Sequence, residues 1–190
     1  LRAKLPSGVI EGPAAHVTPW HQDMGVTLKD ADPHFILTVW LPLTQSTVAN
    51  GCLEILPGTH TANLMQHVSR VGTGTVIPDE ALPDVRPLPL EMEKGSVLLM
   101  HKGIPHRSGV NCTADIRWSM DLRYQRTGTP TGRSLYPEFV ARSRANSASE
   151  LTDYGEWCHR WERALSAERC KAEAGTPTAH HRWKRETVES

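Results

Sequence analysis

Between residues 115 and 124 the chain reads DIRWSMDLRY, and its apolar and polar positions alternate. Ile116, Trp118, Met120, Leu122 and Tyr124 occupy one set; Asp115, Arg117, Ser119, Asp121 and Arg123 occupy the other. A period of two predicts a half-buried strand with its apolar face turned to the core. Residues 35–43, FILTVWLPL, form a continuous apolar run rich in β-formers and predict a buried strand. In VANGCLEIL, Asn50-Gly51 sets a tight turn directly before a further strand-like run, which PGTH (residues 57–60) ends. GSVLLMH, residues 95–101, predicts a turn followed by a strand. Residues 61–94 are mixed, with several prolines between 78 and 89, and are expected to be a long surface excursion.

After a loop, QRTGTPTGRSLYP, the period changes. Leu151, Tyr154, Cys158, Trp161 and Leu165 recur at steps of three and four in SASELTDYGEWCHRWERALSAERCKAE. That spacing predicts one face of an amphipathic helix, with a Ser cap at its start. Short strands followed by a helix, without a βαβ rhythm, exclude a parallel-sheet nucleotide fold. They predict a mainly β fold, a β-sandwich or jelly-roll barrel carrying a C-terminal amphipathic helix. One domain over residues 1–174 and a flexible polar tail over 175–190 are expected.

Composition narrows the function classes. A chain of 190 residues suits one domain with a real core. Lys plus Arg and Asp plus Glu number 21 each, so charge gives no sign of a nucleic-acid or membrane-surface partner. A small-molecule substrate is the expected partner. No apolar run approaches the roughly 18 residues of a membrane span, and no signal peptide is visible. Cys52, Cys112, Cys158 and Cys170 form neither a C-x-x-C pair nor a zinc-finger spacing. Free thiols and a cytoplasmic location are therefore expected.

The candidate chemistry begins in TPWHQDMGV, residues 18–26. On a strand, His21 and Asp23 would point to one face and converge, with Gln22 turned to the other. A lone H-x-D is common and lacks a third ligand. His106, in HKGIPHRSGVNCTADIRW, supplies one. If residues 104–109 and 115–124 pair as a hairpin, His106 and Ser108 share a face and Arg117 lies within reach of both. Two histidines and one carboxylate are the ligand set of a non-haem Fe(II) oxygenase. Three protein ligands on one octahedral face leave room for a bidentate 2-oxo acid and for O2. The far carboxylate of 2-oxoglutarate then needs a cation held away from the iron, for which the planar fork of Arg117 is suited, and Ser108 can add a hydroxyl donor.

H-x-D, then H-x-S, then an Arg eleven positions after the second His resembles the phytanoyl-CoA dioxygenase family of Fe(II)/2-oxoglutarate oxygenases. TVWLPLTQSTVANGCLEILPGTH is similar to the family's central segment, and HRSGVNCT to its H-R-S-G-x-N block. The resemblance covers roughly residues 18 to 124. It implies a double-stranded β-helix (jelly-roll, cupin-like) fold with flanking helices. It implies iron ligation by His21, Asp23 and His106, and 2-oxoglutarate held by Arg117 and Ser108, with Trp40 lining the cosubstrate pocket. The implied activity is oxidation of an unactivated C–H bond of a small molecule, such as an amino acid derivative, a secondary metabolite or an acyl compound, with release of succinate and CO2. In related halogenases a small residue replaces the carboxylate to admit chloride, so Asp23 favours oxygenation. Family members carry more chain before H-x-D, whereas 20 residues precede His21 here; an incomplete N-terminus or a more open pocket is expected.

Other polar residues have plainer readings. His101 is offset by five from His106 and is expected on the opposite face. His60 and Asn111 are expected to bond their own turns. Glu54 is open between supporting the site and a cross-strand role, and Arg123 and Asp121 between a structural ion pair and a substrate contact. Trp157, Trp161 and Trp183 read as helix packing first and as a substrate lid second, and His180-His181 as part of the loose tail. The competing functions are a jelly-roll metal-binding protein without 2-oxoglutarate turnover, and a cupin-like enzyme using its metal as a Lewis acid.

Overall fold

The computed structural model describes residues 1–9, 17–70, 73–133, 136–173 and 182–183. Strands β1 (Arg2–Lys4) and β2 (Thr18–His21) lead into a single helical turn, α1 (Asp23–Val26). Then come β3 (Ile36–Pro42), β4 (Leu53–Ile55), β5 (Val68–Arg70), β6 (Gly74–Val76), β7 (Leu88–Leu90), β8 (Leu98–His101), β9 (His106–Ser108) and β10 (Arg117–Gln125), and finally the helix α2 (Tyr154–Glu173). The strands form two four-stranded sheets, ordered β1-β10-β3-β8 and β2-β9-β4-β7, and β5 and β6 pair separately. Every named pairing is antiparallel. This is the jelly-roll arrangement expected from the run of short strands, in which successive strands switch between facing sheets.

Residues 104–109 and 115–124 are not a hairpin. β9 pairs with β2 and β4, while β10 pairs with β1 and β3, so the segment between them crosses from one sheet to the other. Asn111 holds that crossing. Its side chain is fully buried, donates to the carbonyls of Lys4 (3.0 Å) and Asp115 (2.7 Å), and accepts from the Thr113 N–H (3.0 Å).

The alternation in β10 is real, but its faces are reversed from expectation. Arg117 and Ser119 are buried, whereas Trp118, Met120 and Tyr124 are more than a third exposed. In β3 the inward set is Ile36, Thr38, Trp40 and Pro42, and the outward residues are half-buried. The barrel therefore encloses a polar interior, closed by Trp40, Leu53, Met100 and Ile104 between the sheets. A second apolar cluster, Trp20, Leu56 and Ile77, draws in Met65, Leu82 and Val85. Residues 61–94 thus supply core, not only surface: Ile77 and His67 are among the most buried side chains.

In α2, Asp153 caps the first turn by accepting the Glu156 N–H at 3.0 Å; the serines expected there form a separate 3-10 turn, Ser147–Ser149. Trp157 and Trp161 lie on α2 in ring contact with Tyr154 of the same helix and Tyr136 of the preceding loop, and Trp183 packs elsewhere, beside His67. The cysteines are free thiols, and no helix among the described residues is long and apolar enough to cross a membrane. His180 and His181 lie outside the described residues.

Candidate metal centre

β2 and β9 carry a bulge. Thr18 pairs with Ser108 and His21 with His106, so Pro19 and Trp20 together face Arg107. Proline has no N–H to give to a ladder and is tolerated at such a bulge. The bulge sets the two imidazoles side by side, with ring centroids 4.2 Å apart and planes tilted by 52°. His21 Nδ1 lies 2.9 Å from the Pro19 carbonyl and His106 Nδ1 lies 3.1 Å from that of Ile104. A carbonyl only accepts, so each Nδ1 carries a proton, which makes Nε2 the ligand atom of each ring in its neutral form.

Asp23 reaches the same point by a different route from the one expected. β2 ends at His21, Gln22 is extended (φ −105°, ψ 142°), and Asp23 opens α1 instead of continuing the strand. One potential ligand atom from each of His21, Asp23 and His106 lies within 4.8 Å of the others. The donor set is two imidazoles and one carboxylate, and this suits a divalent transition metal. Gln22 turns away as expected. Fully buried, it donates to the Gly103 carbonyl (2.8 Å) and accepts from the Met65 N–H (2.8 Å).

Both oxygens of Asp23 are engaged: Thr38 Oγ1 donates to Oδ2, and Arg123 forms an ion pair with Oδ1. Burial by itself would raise the Asp23 carboxyl. His106, Arg123 and His21 outweigh it and hold the group below the ordinary carboxylate range. Burial, and then the neighbouring His106, bring His21 down to about 3. The pair is thus kept as neutral imidazole and ionised carboxylate, the forms that ligate metals.

Beside these residues opens a cavity of about 280 Å³, lined among others by Trp40, Ser108, Arg117, Lys4 and Asp121. Its size falls near the lower end of the roughly 300–1,000 Å³ typical of small-molecule sites. Arg117 is buried, its guanidinium 5.4 Å from the centroid of the Trp40 ring, and its Nε donates to the Asn50 carbonyl at 3.3 Å. That carbonyl belongs to the Asn50-Gly51 turn, where Gly51 has φ +75° and a Cβ would stand 2.5 Å from the Gly109 carbonyl oxygen, so only glycine fits. Arg117 Nη1 is buried without a hydrogen-bond partner among the described residues. A buried cationic donor without an acceptor calls for an anion. Ser108 Oγ accepts from the Thr18 N–H at 3.3 Å and keeps its own proton to donate. Burial, then Arg117 and Arg2, bring Lys4 down to about 8.

Five of the six expected site residues, His21, His106, Ser108, Arg117 and Trp40, line one cavity, and Asp23 joins it through its cluster with the two histidines. Sequence reasoning did not single out Thr38, Lys4 or His67. It left Arg123 undecided, and only the shared face with Arg117 pointed to it. Glu54 takes the cross-strand role, accepting from Arg107 at 2.8 and 3.0 Å. His101 accepts the Gly103 N–H at 3.1 Å and stands apart from the His21–Asp23–His106 cluster.

Comparison with known proteins agrees with this geometry. The family described as phytanoyl-CoA dioxygenase matches residues 8–119. A probable phytanoyl-CoA dioxygenase of Caenorhabditis elegans is 32% identical over 115 residues, covering 56% of this chain and 35% of that protein. A 1-deoxypentalenic acid 11-beta-hydroxylase of Streptomyces arenae is 31% identical over 160 residues, covering 77% of this chain and 56% of that protein. Among solved structures, the non-heme monooxygenase ThoJ superposes with a TM-score of 0.54 at 19% identity over 82% of this chain and 62% of that one, a likeness of fold. The chain thus spans from about a third to just over half of the curated relatives named here.

Proposed function

This chain belongs to the phytanoyl-CoA dioxygenase family, and from that premise we propose that it is part of an Fe(II)- and 2-oxoglutarate-dependent oxygenase acting on a small molecule. The observation that carries the reading is a juxtaposition: three metal-ligating side chains converge beside a cavity into which a buried arginine brings an unpartnered donor. His21, Asp23 and His106 hold the iron. The Nδ1 bonds to Pro19 and Ile104 fix both ring orientations, and Thr38 and Arg123 orient the carboxylate. Arg117 receives the distal carboxylate of 2-oxoglutarate, with Ser108 donating beside it and Trp40 forming the wall. When bound, the iron supplies the oxidative chemistry by which a C–H bond, O2 and 2-oxoglutarate become an alcohol, succinate and CO2. The protein's part is to fix ligand geometry, place the cosubstrate and exclude competing water.

The test is succinate formation by the protein supplied with Fe(II), 2-oxoglutarate and ascorbate under air. His106→Ala and Asp23→Ala should each abolish it, in the presence or absence of substrate. Succinate retained in both variants overturns the assignment of the ligands. Metal binding without 2-oxoglutarate binding favours Lewis-acid chemistry on the same fold.

A further inference from the structure

α1 is one turn long, Asp23–Val26, and begins on the residue assigned above as the carboxylate ligand. A single turn does not sustain itself in water, and its C-terminal carbonyls have no partners within the helix. Two residues from the far end of the chain supply them. Arg182 Nη1 donates to the carbonyls of Met24 (3.1 Å) and Thr27 (3.3 Å), and Trp183 Nε1 donates to that of Gly25 (2.6 Å). The same guanidinium forks onto both carboxylate oxygens of Asp32, at 2.7 and 2.5 Å, and its side chain is only 7% exposed.

The clasp also reaches the turn from its other side. The Trp183 ring stacks on His67, with centroids 5.1 Å apart and planes 28° from parallel. His67 fills the space above Gly25, where a Cβ would stand 2.3 Å from its Nε2. That Nε2 accepts the Gln22 N–H at 3.1 Å, and Nδ1 lies 2.8 Å from the Met65 carbonyl. Residues 22–27 are therefore held by Trp183, His67 and Arg182 together. A cation at the C-terminal end of a helical turn also meets the favourable end of its dipole.

We propose that Arg182 and Trp183 are positioning residues for the Asp23 ligand: by clasping α1 they preorganise its carboxylate opposite His21 and His106. The proposal rests on the reading of those three residues as a metal site. Groups that orient metal ligands without touching the metal change its affinity by roughly 10–100-fold when removed. A role confined to packing would lower stability and leave the affinity of the folded protein unchanged.

The experiment is titration of the full chain with Co(II), which reports affinity and the visible spectrum of the complex without 2-oxoglutarate turnover. Trp183→Ala, and Arg182→Met combined with Asp32→Asn to avoid a stranded carboxylate, should each weaken Co(II) binding about 10–100-fold and shift the spectrum. Trp183→Phe keeps the stacking ring and loses only the Nε1 donor, so it should lie between Trp183→Ala and the wild type, and it decides the matter if Trp183→Ala does not fold. Wild-type affinity and an unchanged spectrum in folded Trp183→Phe and in the Arg182 double variant overturn the proposal. His106→Ala separates the two readings: if it binds Co(II) as tightly as the wild type, the metal-site assignment fails before the clasp is in question.

Discussion

Arg123 and Asp23 are 100 positions apart in the chain and form an ion pair beside His21 and His106. The Asp23 carboxylate is almost wholly buried, whereas the Arg123 side chain is 29% exposed. Removing one partner of a fully buried pair costs roughly 3–5 kcal/mol. Solvent at Arg123 reduces that, so Arg123→Leu should destabilise the metal-free protein by about 2 kcal/mol, read by urea denaturation. A divalent cation takes over the lost positive charge, so Co(II) should stabilise the variant more than the wild type. Equal Co(II) stabilisation of both would show that Arg123 does not compensate the ligand charge.

His21 gives the metal-free protein an acid limit. Its folded value is about 3, below the ordinary 6.5, so the unfolded chain binds the proton more readily. The stability due to neutral His21 is fully present above pH 6.5 and is lost progressively as pH falls from 6.5 towards 3. Between pH 6.5 and 5 the loss should approach about 2 kcal/mol. His21→Gln, which cannot protonate, should flatten this part of the curve of unfolding free energy against pH. An unchanged slope in that variant would assign the acid limit to other groups.

Arg117 should dominate cosubstrate affinity. Truncating one partner of a buried, hydrogen-bonded charge pair costs roughly 2–5 kcal/mol, so Arg117→Met should raise the Kd for 2-oxoglutarate by about 30-fold or more. Anaerobic calorimetry with Mn(II) in the site measures this directly. A change of less than threefold would remove Arg117 from the cosubstrate site.

Lys4 adds a pH signature to the same cavity. It titrates in the folded protein near 8, so its charge is present below that value and is lost as pH rises through it. An incoming anion favours the protonated form, so binding takes up a proton above pH 8. Affinity for 2-oxoglutarate should therefore decline as pH rises from about 8 to 10, and Lys4→Met should abolish the decline. A decline that persists in the variant would exclude Lys4 as its source.

Gly25→Ala should cost about 1–3 kcal/mol by overpacking, since the new methyl group meets the His67 ring. Combining it with His67→Ala should recover part of the loss beyond additivity, as measured in a double-mutant cycle of urea denaturations. Strict additivity would mean that the two residues do not share the space.

The ligand set was legible in the sequence because its chemistry survives errors about backbone. His21 and Asp23 were expected to converge by strand alternation. They converge because α1 turns back after one extended residue. His106 and Arg117 were expected to meet across a hairpin, yet they meet across two sheets. Adjacent strands in sequence usually pair, and nothing local in residues 109–116 announces that these do not. The period of β10 was plain, but a period says that two faces differ without saying which one is inside. Here the interior holds Arg117 and Ser119, so the polar face is the enclosed one. Arg182 had no legible role and Trp183 read as packing of the C-terminal helix, because their true partners lie some 150 positions earlier.

The bulge at Pro19 and Trp20 sets how residues along β2 are counted against β9. It absorbs one extra residue between the Thr18–Ser108 and His21–His106 pairs. Deleting Pro19 or Trp20 would restore a regular ladder, a change that a strand of this kind accommodates readily. The same deletion would leave His21 opposite His106, because Thr18 and Ser108 would then set the register of the whole ladder. What the extra residue changes is which residues share a face: in a regular strand Thr18 and His21, three apart, would point to opposite sides, and the bulge lets both meet Ser108 and His106 on one side of β9.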